Sequence, residues 1–195
     1  GYAWVDPSAA VASGTCGDNL TWTLDDEGVL TISGTGEMDD FQAWSGAPWN
    51  SFNEIIKKVV IKSGVTSIGD FAFMNCNKLT SVTIADTVTE IGWGAFYCCE
   101  ALTSVSIPKG VTEIGREAFY CCTKLQSVSI PANVSSIGDQ AFAYCEKLTR
   151  FSVDSSNPYY SADSKGVLFN KDKTVLIQAP TALSGEYQIP QGVNI

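Results

Sequence analysis

The sequence predicts a solenoid: stacked 23-residue turns with a parallel β-sheet along one side, short helical turns between strands, and an N-terminal β-hairpin cap. Three observations point there. Four stretches repeat at a spacing of 23, namely Val65-Thr-Ser-Ile68-Gly69, Val88-Thr-Glu-Ile91-Gly92, Val111-Thr-Glu-Ile114-Gly115 and Val134-Ser-Ser-Ile137-Gly138. Each is followed by an apolar segment that ends in period-two alternation, the signature of a half-buried strand. The first 45 residues do not repeat and contain two alternating runs around a polar turn.

The period carries the other apolar positions into columns. Ala72, Ala95, Ala118 and Ala141 form one column, and Phe73, Phe96, Phe119 and Phe142 the next. Cys76, Cys99, Cys122 and Cys145 make a structural cysteine ladder, followed by Leu79, Leu102, Leu125 and Leu148. Val82, Val105, Val128 and Phe151 come next, then Ile84, Ile107, Ile130 and Val153. A single turn of this kind buries only a narrow apolar edge, so it must stack on its neighbours to complete a core. Leu-x-x-Val-x-Ile supplies the strand, and strands stacked turn on turn form a parallel sheet about 4.8 Å apart. Ala-Phe-x-x-Cys suits one short helical turn. Ile-Gly ends a second extended piece, and its glycine is expected to permit a tight corner.

Outside the clear copies, Ile56, Val59 and Ile61 precede Leu79, Val82 and Ile84 by the same 23, and Pro48, Trp49 and Phe52 fill the preceding arc irregularly. Leu20-Thr-Trp-Thr-Leu24 and Val29-Leu-Thr-Ile32 flank Asp25-Asp-Glu-Gly28, a hairpin whose role is to cap the first turn. Near the end, Gly166-Val-Leu-Phe169 and Thr174-Val-Leu-Ile177 flank Asn170-Lys-Asp-Lys173 as a second hairpin. Tyr187-Gln-Ile-Pro-Gln-Gly-Val193 then matches Val105-Ser-Ile-Pro-Lys-Gly-Val111, so a further turn begins. The expected division is 1–54 as cap, 55–157 as regular repeats, and 158–195 as an irregular repeat with a hairpin and the start of a truncated turn. The sequence therefore reads as part of a longer chain, with Gly1 as the scar of a removed tag. Residues 2–15 lack the basic start and continuous apolar core of a signal peptide.

The 195 residues are 45% hydrophobic, with a formal charge of −9. That acidity argues against nucleic acid, whose backbone calls for a Lys/Arg stripe. No apolar run is long enough to span a membrane. There is no histidine, which removes the commonest general base and zinc ligand and makes Ser-His-Asp and Cys-His arrangements impossible. No phosphate-binding or dinucleotide fingerprint is present. Asp25 to Glu27 and the Asp39-Asp40 pair read as solvated turn acids, and neither they nor Asp154 to Asp163 have EF-hand spacing. No cofactor, metal site or catalytic residue is expected.

Stacked turns place the four ladder cysteines about 4.8 Å apart, against the roughly 3.8 Å between Cβ atoms of a disulfide. They are therefore expected as buried free thiols. A Cys98–Cys121 bond meets the same difficulty, and Cys16 has no evident mate. For binding, two surfaces stand out. The outward strand columns, Ser81, Ser104, Ser127, Arg150 and Thr83, Ser106, Ser129, Ser152, are flat and small. Trp93, Tyr97 and Tyr120 fall around the short helical turns on the opposite edge, and aromatic rings make stronger anchors. The spacing of Trp93 and Tyr97 suits one face of a helical turn, so the three are expected to form one patch.

Ile-Gly-x-x-Ala-Phe-x-x-Cys-x-x-Leu-x-x-Val-x-Ile-Pro, seen at 91–108 and 114–131 and with departures at Ala85, Phe151, Val153 and Asp154, resembles the BspA-like leucine-rich-repeat family of bacterial surface proteins. The resemblance covers about residues 55–193. Cys16-Gly-Asp18, Leu20 to Leu24, Leu30 to Gly36 and Ala47 to Trp49 are similar to an N-terminal module of such proteins in gut Firmicutes. The resemblance implies a leucine-rich-repeat solenoid, secreted or displayed on the bacterial surface. It implies a non-catalytic binding or adhesion role, with a host matrix protein or surface glycan as partner, or else a structural spacer in a larger surface protein. Free thiols on such a protein fit an anaerobic habitat. The family's motifs are specific for fold and carry no binding residues across.

Overall fold

The computed structural model describes residues 10–44 and 46–195. Gly1, read as a tag scar, and most of residues 2–15, read for a signal peptide, lie outside them. The cap is a three-stranded antiparallel sheet of β1 (Ala12–Gly17), β2 (Leu20–Leu24) and β3 (Val29–Gly34). In the β2–β3 turn, Asp25 Oδ1 accepts the Glu27 and Val29 N–H groups at 3.1 and 2.8 Å. The cap then becomes the solenoid without a seam. β3 pairs in parallel with β4 (Lys58–Ile61), so that Leu30 and Ile32 lie beside Val59 and Ile61.

From there each turn contributes an extended pair on one side and a strand on the other. The chain runs through β5 (Ser67–Ile68), β6 (Ser81–Ile84), β7 (Glu90–Ile91), β8 (Glu113–Ile114), β9 (Ser127–Ile130), β10 (Ser136–Ile137) and β11 (Arg150–Val153). The Ile-Gly pieces make a continuous parallel sheet, β10-β8-β7-β5, in which Ile68, Ile91, Ile114 and Ile137 are in register. The wider strands pair as β4-β6 and β9-β11, each shifted by the 23-residue period.

The expected unbroken strand sheet is interrupted at residues 104–107, although Val105 and Ile107 still face inward and Ser104 and Ser106 outward. Proline marks both junctions. At Lys62, Ala85 and Asp154 a backbone N–H extends the ladder to Ile32, Ile61 and Ile130 carbonyls. Pro108 and Pro131 occupy the same position and have no N–H to give.

The Ile-Gly glycines also act differently from the expected corner. None of Gly69, Gly92, Gly115 and Gly138 has a positive φ. They are needed for close approach: a Cβ on Gly115 would stand 2.6 Å from the Gly92 carbonyl carbon, and one on Gly138 2.3 Å from the Arg116 nitrogen. The left-handed residues lie one arc later, in two columns: Phe71, Gly94, Glu117, Gln140 and Asn75, Cys98, Cys121, Tyr144. They interrupt the arc, so its turns close by local bonds such as Cys99 N–H to Phe96 and Leu102 N–H to Cys99, and no long helix propagates. The N–H groups of Phe71, Phe73 and Asn75 instead reach the next turn, at Trp93, Ala95 and Tyr97 carbonyls. Among the described residues the only helical element is a 3-10 turn at Asn50–Phe52.

One core runs from Cys16 to Leu168. The Phe column is its spine: successive rings of Phe73, Phe96, Phe119 and Phe142 stack at 5.2, 5.2 and 5.4 Å, all fully buried. Trp49 continues the stack from the cap, 5.4 Å from Phe73, and its Nε1 donates to the Ala72 carbonyl at 2.7 Å. At the far end, buried Asn157 takes the column position of Val134 one period later. Its Nδ2 donates to the Pro131 and Val134 carbonyls, and its Oδ1 accepts from the Tyr159 and Tyr160 N–H groups. The tail forms an antiparallel sheet of β12 (Tyr160–Ala162), β13 (Leu168–Asn170) and β14 (Leu176–Gln178). Val193 N–H closes on the Pro190 carbonyl as Val111 does on Pro108, yet residues 187–189 form no strand.

Candidate functional site

The outward columns of the strand sheet are small and exposed, as their alternation dictates. The aromatic edge is more varied. Tyr97 and Tyr120 stack at 4.7 Å with planes only 6° apart, one turn of the solenoid from each other. Tyr144 continues the row 4.9 Å beyond Tyr120, and Trp44 of the cap begins it 6.4 Å before Tyr97. The end rings are open to solvent, Trp44 at 67% and Tyr144 at 62%. Tyr97 and Tyr120 are half-buried between them. Loss of water raises the Tyr97 phenol above its ordinary pKa. The Tyr120 phenol is raised by desolvation first and then by Tyr144 and Tyr97 beside it.

Trp93 does not join this row. Its ring packs on Phe71 at 4.9 Å, carries the Arg116 guanidinium over its face at 5.6 Å, and donates from Nε1 to Glu117 Oε2 at 3.2 Å. The helical spacing of Trp93 and Tyr97 fails because Gly94 between them is left-handed, at φ 58°. That glycine also makes room for Phe71, whose ring a Cβ would meet at 2.5 Å. The backbone of Trp93 is held by Asp70, whose carboxylate accepts its N–H at 2.6 Å. The aromatic edge is thus two clusters: a row Trp44-Tyr97-Tyr120-Tyr144 and a separate, 43% exposed Trp93 with charged neighbours. Trp44 escaped the sequence reading because it lies in the non-repeating cap, where no register relates it to Tyr97.

The ladder cysteines are free and buried. Each thiol has a partner: Cys99, Cys122 and Cys145 donate to the Phe73, Phe96 and Phe119 carbonyls at 3.1, 3.3 and 3.2 Å, and Cys76 to Asn53 Oδ1 at 3.5 Å. Burial pushes Cys145 up to about 12 and Cys99 and Cys122 well above the ordinary thiol range. These thiols stay protonated and unreactive.

A second feature is the acidic flank of the Ile-Gly sheet, where Glu37, Asp40, Asp70, Glu90 and Glu113 gather. The Glu90 carboxyl is raised by burial first and then by the surrounding acids. Among the described residues no group of three or more His, Cys, Asp or Glu is placed to hold a metal. Asp154 turns its carboxylate onto its own loop at Ser156, while Asp163 accepts the Lys165 and Val167 N–H groups and the Tyr187 hydroxyl. No helix is long and apolar enough to cross a membrane among the described residues.

The geometry has close relatives among solved structures. A leucine-rich repeat protein from Eubacterium ventriosum is 34% identical with a TM-score of 0.73, over 93% of this chain and 55% of that one. This chain therefore spans about half of that protein's length. A leucine rich cell surface protein from Faecalibacterium prausnitzii is 25% identical, TM-score 0.54, over 95% of this chain and 66% of that one. The T. pallidum leucine rich repeat protein is 27% identical, TM-score 0.51, over 70% of each. Among curated proteins no sequence match is found. The model of the BspA type leucine rich repeat region matches residues 50–164 in six copies. With its 23-residue period, stacked Phe spine and parallel sheets, the chain belongs to the BspA type leucine-rich-repeat family.

Proposed function

We propose that this chain is a recognition segment of a bacterial surface or secreted protein and that it binds a protein ligand through the row Trp44, Tyr97, Tyr120 and Tyr144. The observation that carries this reading is the Tyr97–Tyr120 stack with open rings at both ends. Rings already held against one another lose little freedom on binding, while their hydroxyls remain able to find partners. The central pair suits a protein better than a glycan. Stacking on a sugar needs a free ring face, and the two central tyrosines present edges because their faces are taken by neighbours. Trp93 offers a second, separate contact, its ring flanked by Arg116 and Glu117, which suits a mixed polar and apolar surface.

The test is a binding screen of the folded chain against immobilised extracellular matrix proteins and a glycan array. Tyr144→Ala, Tyr97→Ala and Trp93→Ala variants serve as controls. A matrix-protein ligand whose binding weakens with Tyr144→Ala supports the reading; binding to glycans alone overturns the choice of partner. The spacer alternative draws on the flat Ser/Thr strand columns. It predicts no ligand in either screen.

A further inference from the structure

We propose that Cys98 and Cys121 form an oxidisable pair, a site at which two successive turns of the solenoid become linked by a disulfide. Both occupy the same position of adjacent turns, and both are left-handed, with φ of 55° and 59°. Their backbones are held in step: Cys98 N–H donates to the Tyr120 carbonyl and Cys121 N–H to the Ala143 carbonyl, each at 2.8 Å. The residues just before them, Tyr97 and Tyr120, stack at 4.7 Å, so the turns are closely apposed at this point. One such step lies inside the roughly 4.4–6.8 Å between Cα atoms that a disulfide spans. The expected obstacle, a Cβ separation near the step height, is a matter of about 1 Å at a half-exposed position that can adjust.

The contrast with the next column decides which thiols react. Cys99 and Cys122 are fully buried, and each is committed to a backbone carbonyl. Cys98 and Cys121 are half-exposed, and neither has a carbonyl partner among the described residues. Burial, and then the Cys121 thiol beside it, push Cys98 up to about 12. In the outer turns the position is held by Asn75 and Tyr144, so the pair occurs where two cysteines are adjacent.

The reaction is exchange with a low-molecular-weight disulfide, R–S–S–R. A thiolate of the pair attacks one external sulfur and expels RS⁻, giving a mixed disulfide. The second thiolate then attacks the protein-side sulfur and expels the other RS⁻. Two protein thiols are oxidised, the external disulfide is reduced to two RSH, and the two thiol protons pass to them. Because Cys98 resists ionisation, exchange accelerates as the solution is made alkaline. The site is independent of what the aromatic row binds.

The folded chain is incubated with oxidised glutathione at mildly alkaline pH, then alkylated in denaturant and digested with trypsin. Lys109 and Arg116 separate the two cysteine pairs, so a bond appears as a cross-linked peptide joining 79–109 to 117–124. The expected result is that cross-link in the parent chain and its disappearance in Cys98→Ser and in Cys121→Ser, both confirmed folded by circular dichroism. No cross-link in the parent, or one that persists in folded Cys98→Ser through Cys99, overturns the proposal.

Discussion

Two aromatic ladders run along this solenoid, and they teach opposite lessons. The inner one, Trp49-Phe73-Phe96-Phe119-Phe142, is fully buried and closes against Phe151 edge-on at 5.4 Å. In the outer one, Trp44-Tyr97-Tyr120-Tyr144, the three tyrosines follow one another at 4.7 and 4.9 Å, near the inner spacing, while Trp44 stands 6.4 Å from Tyr97 and both ends are in water. Each begins with a tryptophan from the cap. Inside, the ring removes apolar area from water, and its stacking is incidental to that burial. Outside, much of each ring stays wet, so the row contributes little to folding and leaves surface for a partner.

The largest expected effect breaks the inner ladder. Phe119→Ala opens a cavity between two fixed rings and should cost about 3–5 kcal/mol, read from the denaturant midpoint. A smaller loss would mean that neighbouring turns collapse into the gap. Trp49→Phe keeps the ring but leaves the Ala72 carbonyl without its donor, so about 1–3 kcal/mol should be lost on the same measurement. On the outer ladder, Tyr144→Ala should change stability by less than about 1 kcal/mol while weakening a protein ligand by about 2 kcal/mol or more. Equal loss of stability from both ladders would erase the distinction.

Titration separates the ladders further, since only one of them ionises. The Tyr97 and Tyr120 pKa values are raised in the folded chain, first by desolvation. Their contribution is therefore fully present below the ordinary tyrosine pKa, near 10, and is lost as pH rises through the folded values. Thermal melts across that alkaline range should fall more steeply for the parent than for a Tyr97→Phe, Tyr120→Phe double variant. The smallest effect concerns the acidic flank. Glu90 is raised by burial and by Glu113, Asp40, Asp70 and Glu37. The protonated form is thus the better tolerated one, and stability should rise modestly as pH falls through the raised value toward the ordinary glutamate pKa. Glu90→Gln should reproduce part of that gain at neutral pH and flatten the acid-side slope.

Much of this was legible in the chain because a repeat prints its register into the sequence. The Phe, Cys and Leu columns are visible at a spacing of 23, and stacking turns that repeat must align them. The cap hairpin was legible from alternation around Asp25, whereas β1 was not. Its Ala-Ser-Gly-Thr-Cys-Gly run has no strand signature, and it is extended only because β2 offers a backbone to pair with. The same limit applies to Asn157, a polar residue in the Val column, tolerated in the core because four hydrogen bonds satisfy its amide.

The sequence by itself determined the solenoid, the period and the identity of the buried columns, since these follow from which residues recur and from the need of each narrow turn to share its core. Tertiary structure alone decided where the handed corners fall. It moved them from the Ile-Gly glycines, which serve close packing between turns, to two columns of mostly non-glycine residues, among them Phe71, Glu117 and Gln140, that no propensity marks. With them it decided the candidate site. A left-handed Gly94 turned Trp93 away from Tyr97, and a cap residue far off in sequence, Trp44, took its place at the head of the row. Periodicity relates residues one turn apart; it cannot relate a repeat to a cap that does not share its period.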